Sequence, residues 1–370
     1  MSECFICEPP PTSGIVEEMS FDLCDTTVVS EVTMCTTCGL TRLNPFPPED
    51  LLTKHYAGQH RYPSETVAYK EQADMLEKYV GLEDAAVCDV GAYDGRLLKE
   101  LSKRGVSRLV GVEPDRTVKK KFSYVTSPTL ETAASMYRSS MDIVTLGHVL
   151  EHLRDPLKVM EQVWYILKPG GTVFIEVPDI IVPQVQIVPY WTPFHLWYFS
   201  QHTLEWLFEN TGFNSIAVDF TGYGSVRVIG RKFKNIVDTG FVPPPRPTLT
   251  AIAGYKLHRG YLLKDVERSV GHLQGKTFAI FGAGDHTKWL LKEFPFLNGY
   301  DYILDSNPAK WEDKVIPPDM HRPGVPVVIS SYDTQDEMAE MVGKDAIKLY
   351  SNVKAYDVWK GEDAGISVQV

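Results

Sequence analysis

No apolar run in this 370-residue chain reaches the roughly 18 residues that a membrane-crossing helix needs. The N-terminus, MSECFICEPPP, lacks both the basic stretch and the apolar core of a secretory leader, so a cytoplasmic protein is expected. Cysteine is scarce, and six residues are too few for a disulfide scaffold. Positive charge is in deficit, with 37 Lys and Arg against 48 Asp and Glu and a formal net charge of −11. That balance repels a phosphate backbone on average, so nucleic acid is not an expected partner. The one basic run, VKKKF at 118–122, reads as a solvated helix end. What is present is ordinary for a globular chain: 44% hydrophobic and 23% charged residues. The length predicts two or three domains.

The pattern divides into four spans. Residues 1–58 carry two Cys-x-x-Cys pairs and short, Thr-rich, strand-like runs. Residues 59–236 alternate strand-like and helix-like pieces. Residues 237–273 open on the proline-rich VDTGFVPPPRPTLT, a stiff linker, and continue into a connecting helix over 251–273. Residues 274–370 hold a second strand–helix alternation, and no short repeat relates the two.

Cys4 and Cys7 form one pair, Cys35 and Cys38 the other. Each pair has the spacing of a knuckle that points two thiolates at one ion, and two knuckles complete the tetrahedron that Zn²⁺ prefers. Gly39 suits the tight turn. A four-cysteine site has no open position, so the ion is expected to be structural and to supply much of the folding free energy of this small polar span. Cys24 is single and lacks a knuckle; Cys88 sits in an apolar strand and is expected in the core.

In VCDVGAYDGRLLKEL a strand leads through a glycine loop into a helix. Asp89 stands two places before Gly91, and the loop to Gly95 is longer than a dinucleotide fingerprint allows. A carboxylate there repels a pyrophosphate and favours a cation. S-adenosylmethionine (SAM), with an ammonium, a sulfonium and no phosphate, fits that demand. Gly91 and Gly95 let the backbone come close to its methionine part. RLVGVEPD then ends a second strand on Glu113, placed to accept ribose hydroxyls.

These motifs, with DIVTLGHVLEHLRDP, LKPGGTVFIEVP and HLWYFSQHTLEWLFENTGF, resemble class I SAM-dependent methyltransferases over about residues 60–235. The resemblance implies an α/β fold with a doubly wound, Rossmann-like sheet and SAM across the strand ends. It implies that Asp89, Gly91, Tyr93 and Gly95 flank the methionine moiety and that Glu113 takes the ribose. Ser127–Leu130, with Thr129 and Leu130, would border the adenine, and Gly147 and His148 would lie near the sulfonium. Tyr93 departs from the pattern, standing where many members have a third glycine.

The layout of zinc module, SAM domain and C-terminal Rossmann-like domain resembles the sugar C-methyltransferases of deoxysugar pathways, which act on nucleotide-linked keto-sugars. That family carries a Tyr-His-Glu-His motif for acid–base work. Here the stretch reads Thr192-Pro-Phe194-His195, so only the final histidine is kept. Carbon methylation needs that apparatus more than oxygen methylation does, so O-methylation gains weight. His195 is the candidate general base, His148 and Tyr198 are further catalytic candidates, and Tyr190, Trp191 and Trp197 could stack on a sugar or close the sheet edge. Glu151 and His152 are expected to be structural, and His202 to be a surface or cap residue. A monomer or homodimer acting on a small molecule is expected.

The C-terminal stretch FAIFGAGDHTKWLL read alone is a dinucleotide loop, with Asp305 at the ribose position. Asp285 and Thr287 spoil it for a pyrophosphate. The domain is therefore read as a scaffold, with Gly282, His286 and Asn352 as residues that could face substrate. Two other functions stay open: a catalytically silent SAM-fold adaptor, and an NAD-linked oxidoreductase using this second loop.

Overall fold

The computed structural model describes residues 4–7, 13–24, 26–58, 66–114, 125–233, 242–332 and 334–350. The basic run 118–122, the first part of the linker and Asn352 lie outside them. The chain forms two compact units, residues 1–181 with 191–252, and residues 182–190 with 253–370. Among the described residues no helix is long and apolar enough to cross a membrane.

In the first unit, β1 (Ser13–Leu23), β2 (Thr26–Cys35) and β3 (Thr41–Asn44) form an antiparallel sheet. The β-branched run TTVVSEVT suits such a pleated, half-buried surface. This sheet is not closed by the first 58 residues alone. Its fourth strand is β9 (Trp197–Tyr198), with Thr41 opposite Tyr198. The N-terminal span expected to stand as a separate module thus shares a sheet with the segment expected to line the acceptor site.

The larger sheet has seven strands in the order β10-β11-β8-β7-β4-β5-β6. They are β4 (Ala86–Val90), β5 (Arg108–Val112), β6 (Val125–Ser127), β7 (Met141–Gly147), β8 (Leu167–Pro178), β10 (Phe213–Phe220) and β11 (Ser225–Lys232). The strands from β4 to β8 are parallel, and β11 is antiparallel to β8. Helices cover both faces of a parallel sheet, so its strands read as continuous apolar runs. Every residue of β4 is buried, Asp89 included. Residues 169–171 lie within β8. Met141 pairs with Leu167 and Ile143 with Thr172, so these residues are absorbed as an irregularity inside the ladder.

Helix starts follow local chemistry. The Thr129 side chain accepts from the Thr132 amide ahead of helix Leu130–Met136, and Asp155 does the same for Lys158 with Pro156 in the first turn of helix Pro156–Ile166. Ser200 and Thr203 form a reciprocal cap at helix Gln201–Asn210. One apolar cluster runs from Cys4, Cys7, Cys35 and Cys38 through Trp197 and Phe199 to Leu146 and Ile175.

The second unit has a parallel sheet in the order β14-β13-β12-β15-β16, formed by Val315–Ile316, Tyr302–Leu304, Ala279–Phe281, Val327–Ile329 and Ala346–Lys348. Phe278, Ile280, Leu290 and Leu297 fill its core together with Ile187, which the 182–190 excursion inserts.

Leu146 is wholly buried on the central strand β7. Leu146→Ala should cost about 2–5 kcal/mol, seen as a lower denaturant midpoint for the first unit with an unchanged slope.

Candidate cofactor and acceptor site

Register places the site residues side by side. Leu146 of β7 faces Val90 of β4, Val90 faces Val112 of β5, and Gly147 faces Glu176 of β8. The chain leaves these parallel strands at their C-terminal tips, where Glu176, His148, Gly91 and Glu113 follow one another across the sheet. A crevice at such tips is where open α/β sheets hold ligands.

The loop after β4 is closed by its own backbone. The Gly91 and Ala92 amides donate to the Val112 carbonyl (2.8 and 3.1 Å), and the Gly95 amide donates to the Ala92 carbonyl (2.8 Å). The Tyr93 amide donates to Glu113 Oε2 at 3.0 Å. Amides so committed do not cradle a phosphate. Gly91 has φ +73°, and a Cβ there would stand 2.4 Å from Val149 Cγ2. Tyr93 also takes a positive φ, 42°, which turns it through the loop where a glycine was the expected residue.

Asp89 accepts a short hydrogen bond from Thr145 Oγ1 (2.6 Å) and is 5% exposed. Burial pushes its carboxyl up to about 7; the Thr145 bond pulls down, and the Glu113 charge pushes further up. Among the described residues no Lys, Arg or His forms an ion pair with it. A buried carboxylate without a counter-charge favours a cationic ligand. Glu113 is 1% exposed at the tip of β5. Thr129 caps its helix and Leu130 is buried behind it.

On the other side of Asp89 lies a network absent from the sequence reading. Glu176 is fully buried and accepts from Gln72 Nε2 (2.9 Å), Tyr223 Oη (2.8 Å) and Arg227 Nε (2.7 Å). Arg227 also donates to Tyr223 Oη and, at 3.0 Å, to Glu71 Oε2. Burial alone would lift Glu176, but His148 and Arg227 hold it down at about 2. Gly147 lies close to this network, and a Cβ there would stand 3.1 Å from Gln72 Nε2. A lone acid in VFIEVP and a lone base in SVRVIG were the available signals. Their pairing is a fact of register, Arg227 opposite Glu176.

His148 has φ 53° and spans two carboxylates, with Nε2 3.3 Å from Glu176 Oε1 and Nδ1 3.5 Å from Glu151 Oε1. Burial lowers its pKa, but the two acids outweigh that and hold the imidazole up at about 10. It is therefore a cation at neutral pH, not a base. His195 goes the other way: burial, with His152 nearby, pushes it down to about 3, and it stays neutral. Its amide donates to Thr192 Oγ1 at 3.2 Å. Phe194 stacks on His55 with centroids 5.0 Å apart.

Three of the aromatic candidates are buried and hydrogen-bonded within the fold. The Tyr198 hydroxyl accepts from the Thr192 amide (2.9 Å) and donates to the Thr192 carbonyl (3.4 Å), which commits it to the loop and not to proton transfer. Trp191 is 2% exposed and donates its indole N–H to Glu17 Oε2 at 2.9 Å. Trp197 donates to the Leu153 carbonyl (3.0 Å) and packs on Phe5, Phe46 and Arg42. Buried indoles with their N–H satisfied offer no face to a sugar. Tyr190 belongs to the second unit, where its amide donates to Tyr255 Oη (2.9 Å). His202 pairs with Glu205 at 3.6 Å in the first turn of its helix, the surface role expected of it.

In the second unit, Asp305 is occupied by its own loop. It accepts from the Ala283 amide (2.7 Å), the Asn307 amide (2.8 Å) and Lys310 Nζ (3.2 Å). Thr287 Oγ1 donates to the Gly282 carbonyl and lies 2.7 Å from Ser330 Oγ. His286 Nδ1 lies 3.3 Å from Tyr350 Oη. The loop is knit together by side chains where a dinucleotide site needs open backbone.

The four cysteines Cys4, Cys7, Cys35 and Cys38 are buried, with all sulfurs within 4.8 Å of one another. Cys4 and Cys38 sulfurs are 3.4 Å apart, Cys7 and Cys35 3.9 Å. A zinc–sulfur bond of about 2.3 Å gives a tetrahedral edge of about 3.8 Å, so the set fits that ion. The Gly39 amide closes the knuckle on the Cys35 carbonyl (2.9 Å) with φ +79°, and Thr248 Oγ1 would be 2.8 Å from a Cβ there.

Residues 64–218 match the family model of a methyltransferase domain. Together with the strand order and the loop chemistry, this defines a class I SAM-dependent methyltransferase domain within the chain. A ubiquinone biosynthesis O-methyltransferase of Vibrio parahaemolyticus is 34% identical over 110 residues, 27% of this chain and 46% of that protein. A tRNA U34 carboxymethyltransferase of Helicobacter acinonychis is 27% identical over 115 residues, 28% of this chain and 44% of that protein. The chain thus spans less than half the length of these curated relatives. A solved 1,6-didemethyltoxoflavin-N1-methyltransferase of Burkholderia thailandensis, with bound S-adenosylhomocysteine, aligns over 53% of this chain and 95% of its own at 14% identity and TM-score 0.41.

Arg227→Met should destabilise the first unit by about 3–5 kcal/mol, because it strands a buried carboxylate. Adding Glu176→Gln should recover part of that loss. Thermal unfolding of the two single variants and the double variant checks this, and simple additivity would contradict the pairing.

Proposed function

We propose that this chain transfers the methyl group of SAM to a small-molecule acceptor, a sugar or nucleotide-linked sugar, at a carbon or an oxygen. The observation that carries the reading is Asp89, buried without a cation of its own, beside Glu113 on the adjacent strand tip. In this reading Asp89 takes the ammonium and Glu113 the ribose hydroxyls. Gly91, Tyr93 and Gly95 shape the loop around the methionine part. Thr129 and Leu130 border the adenine, and Gly147 and His148 border the reacting methyl.

SAM supplies a methyl group that is already activated. The work left to the protein is alignment of the acceptor and removal of its proton where one must leave. His148, with both ring nitrogens turned to Glu151 and Glu176, lines the acceptor side and does not move a proton. His195 keeps a lone pair but is a weak base, which suits a hydroxyl better than a C–H bond. Phe194 in place of a carboxylate points the same way, to oxygen methylation. Cys4, Cys7, Cys35 and Cys38 hold one structural Zn²⁺ whose contribution is folding free energy.

Calorimetry should detect binding of S-adenosylhomocysteine to the folded chain, and no binding would sink the reading. Glu113→Ala should weaken it about tenfold or more through lost hydrogen bonds to a charged group. Asp89 is raised to about 7 when ligand-free. An arriving ammonium favours its ionised form, so affinity should rise as pH increases through 7. Below that pH binding should release a proton, which Asp89→Asn abolishes in buffers of different ionisation enthalpy.

Metal analysis should find one zinc per chain. Cys35→Ser should lose it and lower the unfolding temperature; an unchanged zinc content would remove the four cysteines as the site.

A further inference from the structure

Glu151 stands in the short turn Leu150–His152 just past β7 and is 1% exposed. Among the described residues neither of its carboxylate oxygens accepts a hydrogen bond. Its near neighbours are imidazole nitrogens, His148 Nδ1 at 3.5 Å and His152 Nε2 at 3.8 Å from Oε1. A buried carboxylate in that condition is costly unless something else satisfies it.

The two histidines beside it are prepared differently from His148. His152 Nδ1 lies 2.8 Å from the Phe194 carbonyl, which can only accept, and 3.0 Å from Tyr56 Oη. Nδ1 therefore donates to the carbonyl, and Nε2 faces Glu151. A histidine whose second ring N–H is fixed on a carbonyl is the usual arrangement of a metal ligand. His195 comes from a distant part of the chain and is brought in by main-chain bonds. The Leu196 amide donates to the Glu151 carbonyl at 2.8 Å, and the rings of His152 and His195 are 4.9 Å apart. One ligand atom from each of Glu151, His152 and His195 lies within 4.8 Å of the others.

We propose that Glu151, His152 and His195 bind a divalent first-row transition-metal cation. Two imidazoles and one carboxylate leave coordination positions open, and oxygen donors of the acceptor would fill them. This role rests on the methyl-transfer reading, although the binding itself does not. A cation there lowers the pKa of a hydroxyl it holds, so the proton passes to bulk water. His195 is then a ligand and not the proton acceptor. The mixed nitrogen and oxygen set also separates this site from the four thiolates, which select a softer ion.

The full chain, with zinc on its cysteines, is titrated with Mn²⁺ alone and free Mn²⁺ is read by electron paramagnetic resonance. One Mn²⁺ per chain is expected at this site. Glu151→Gln and His195→Ala should each weaken it about tenfold or more while leaving the zinc content unchanged. Co²⁺ titration gives a second readout, since a nitrogen and oxygen site yields weak visible bands without the intense sulfur charge-transfer bands of the cysteine site. S-adenosylhomocysteine binding by each variant reports that it is folded. His195, which is less buried than Glu151, is the variant to rely on if Glu151→Gln fails to fold. Absence of Mn²⁺ and Co²⁺ binding by the folded wild type, or equal binding by the variants, overturns the site and leaves Glu151 with its histidine neighbours alone. Mn²⁺ binding without S-adenosylhomocysteine binding would keep the site and discard the methyl-transfer reading.

Discussion

Carboxylates taken out of water at the tips of a parallel sheet set the terms for the first unit. Glu176 is the strongest case. It is fully buried, and its charge is kept because four groups from separate elements reach it: Gln72 from the helix Thr66–Tyr79, His148 after β7, Tyr223 from the turn before β11, and Arg227 from β11 itself. Each of those elements is thereby tied to the end of β8. An ion pair at this depth adds little net stability, since desolvation offsets the attraction. What it does supply is a demand on geometry, because any arrangement that withdraws one partner leaves a charge stranded.

The same logic, left incomplete, describes the rest of the site. Asp89 has a hydrogen bond from Thr145 but no cation, and its carboxyl rises to about 7. Glu151 has neither a hydrogen bond nor a close cation other than His148. All three acids are buried, and they differ in the partners the fold gives them.

The cysteine cluster and the acceptor side are also joined physically. Trp197 packs against Phe5, between Cys4 and Cys7, while its indole donates to Leu153 just beyond Glu151 and His152. Arg42 covers the rings of Phe46 and Trp197 at 4.4 and 5.2 Å. Loss of order around the cysteines would therefore reach the turn that carries the histidines. Residues that looked like substrate platforms are the mortar between these parts.

Much of the frame was legible because it is local. The Cys-x-x-Cys spacing, the strand–glycine–helix order around Asp89, and the acid at the end of the next strand each lie within a short stretch of chain. Local spacing is enough to specify a turn, a cap or a strand end. The β-branched run of β2 and the caps at Thr129, Asp155 and Ser200 are of the same kind. What escaped was every feature made by register between distant segments: Arg227 opposite Glu176, Tyr198 paired with Thr41, Gln72 against Gly147, and Leu196 bound to Glu151. The aromatics around His195 were left open between stacking and closing the sheet edge for that reason, since composition cannot say which rings are buried; Trp197 and Tyr198 do form an edge strand.

By itself, then, the sequence determined a strand–glycine–helix loop and a pair of Cys-x-x-Cys turns, because residue type and short spacing decide what a turn can hold. Only the tertiary structure decided what charge each histidine and acid carries. His148 and His195 are the same residue type, yet one is held at about 10 between two carboxylates and the other at about 3 by burial. Protonation is set by depth and by neighbours across the fold, and neither is written in the order of the chain.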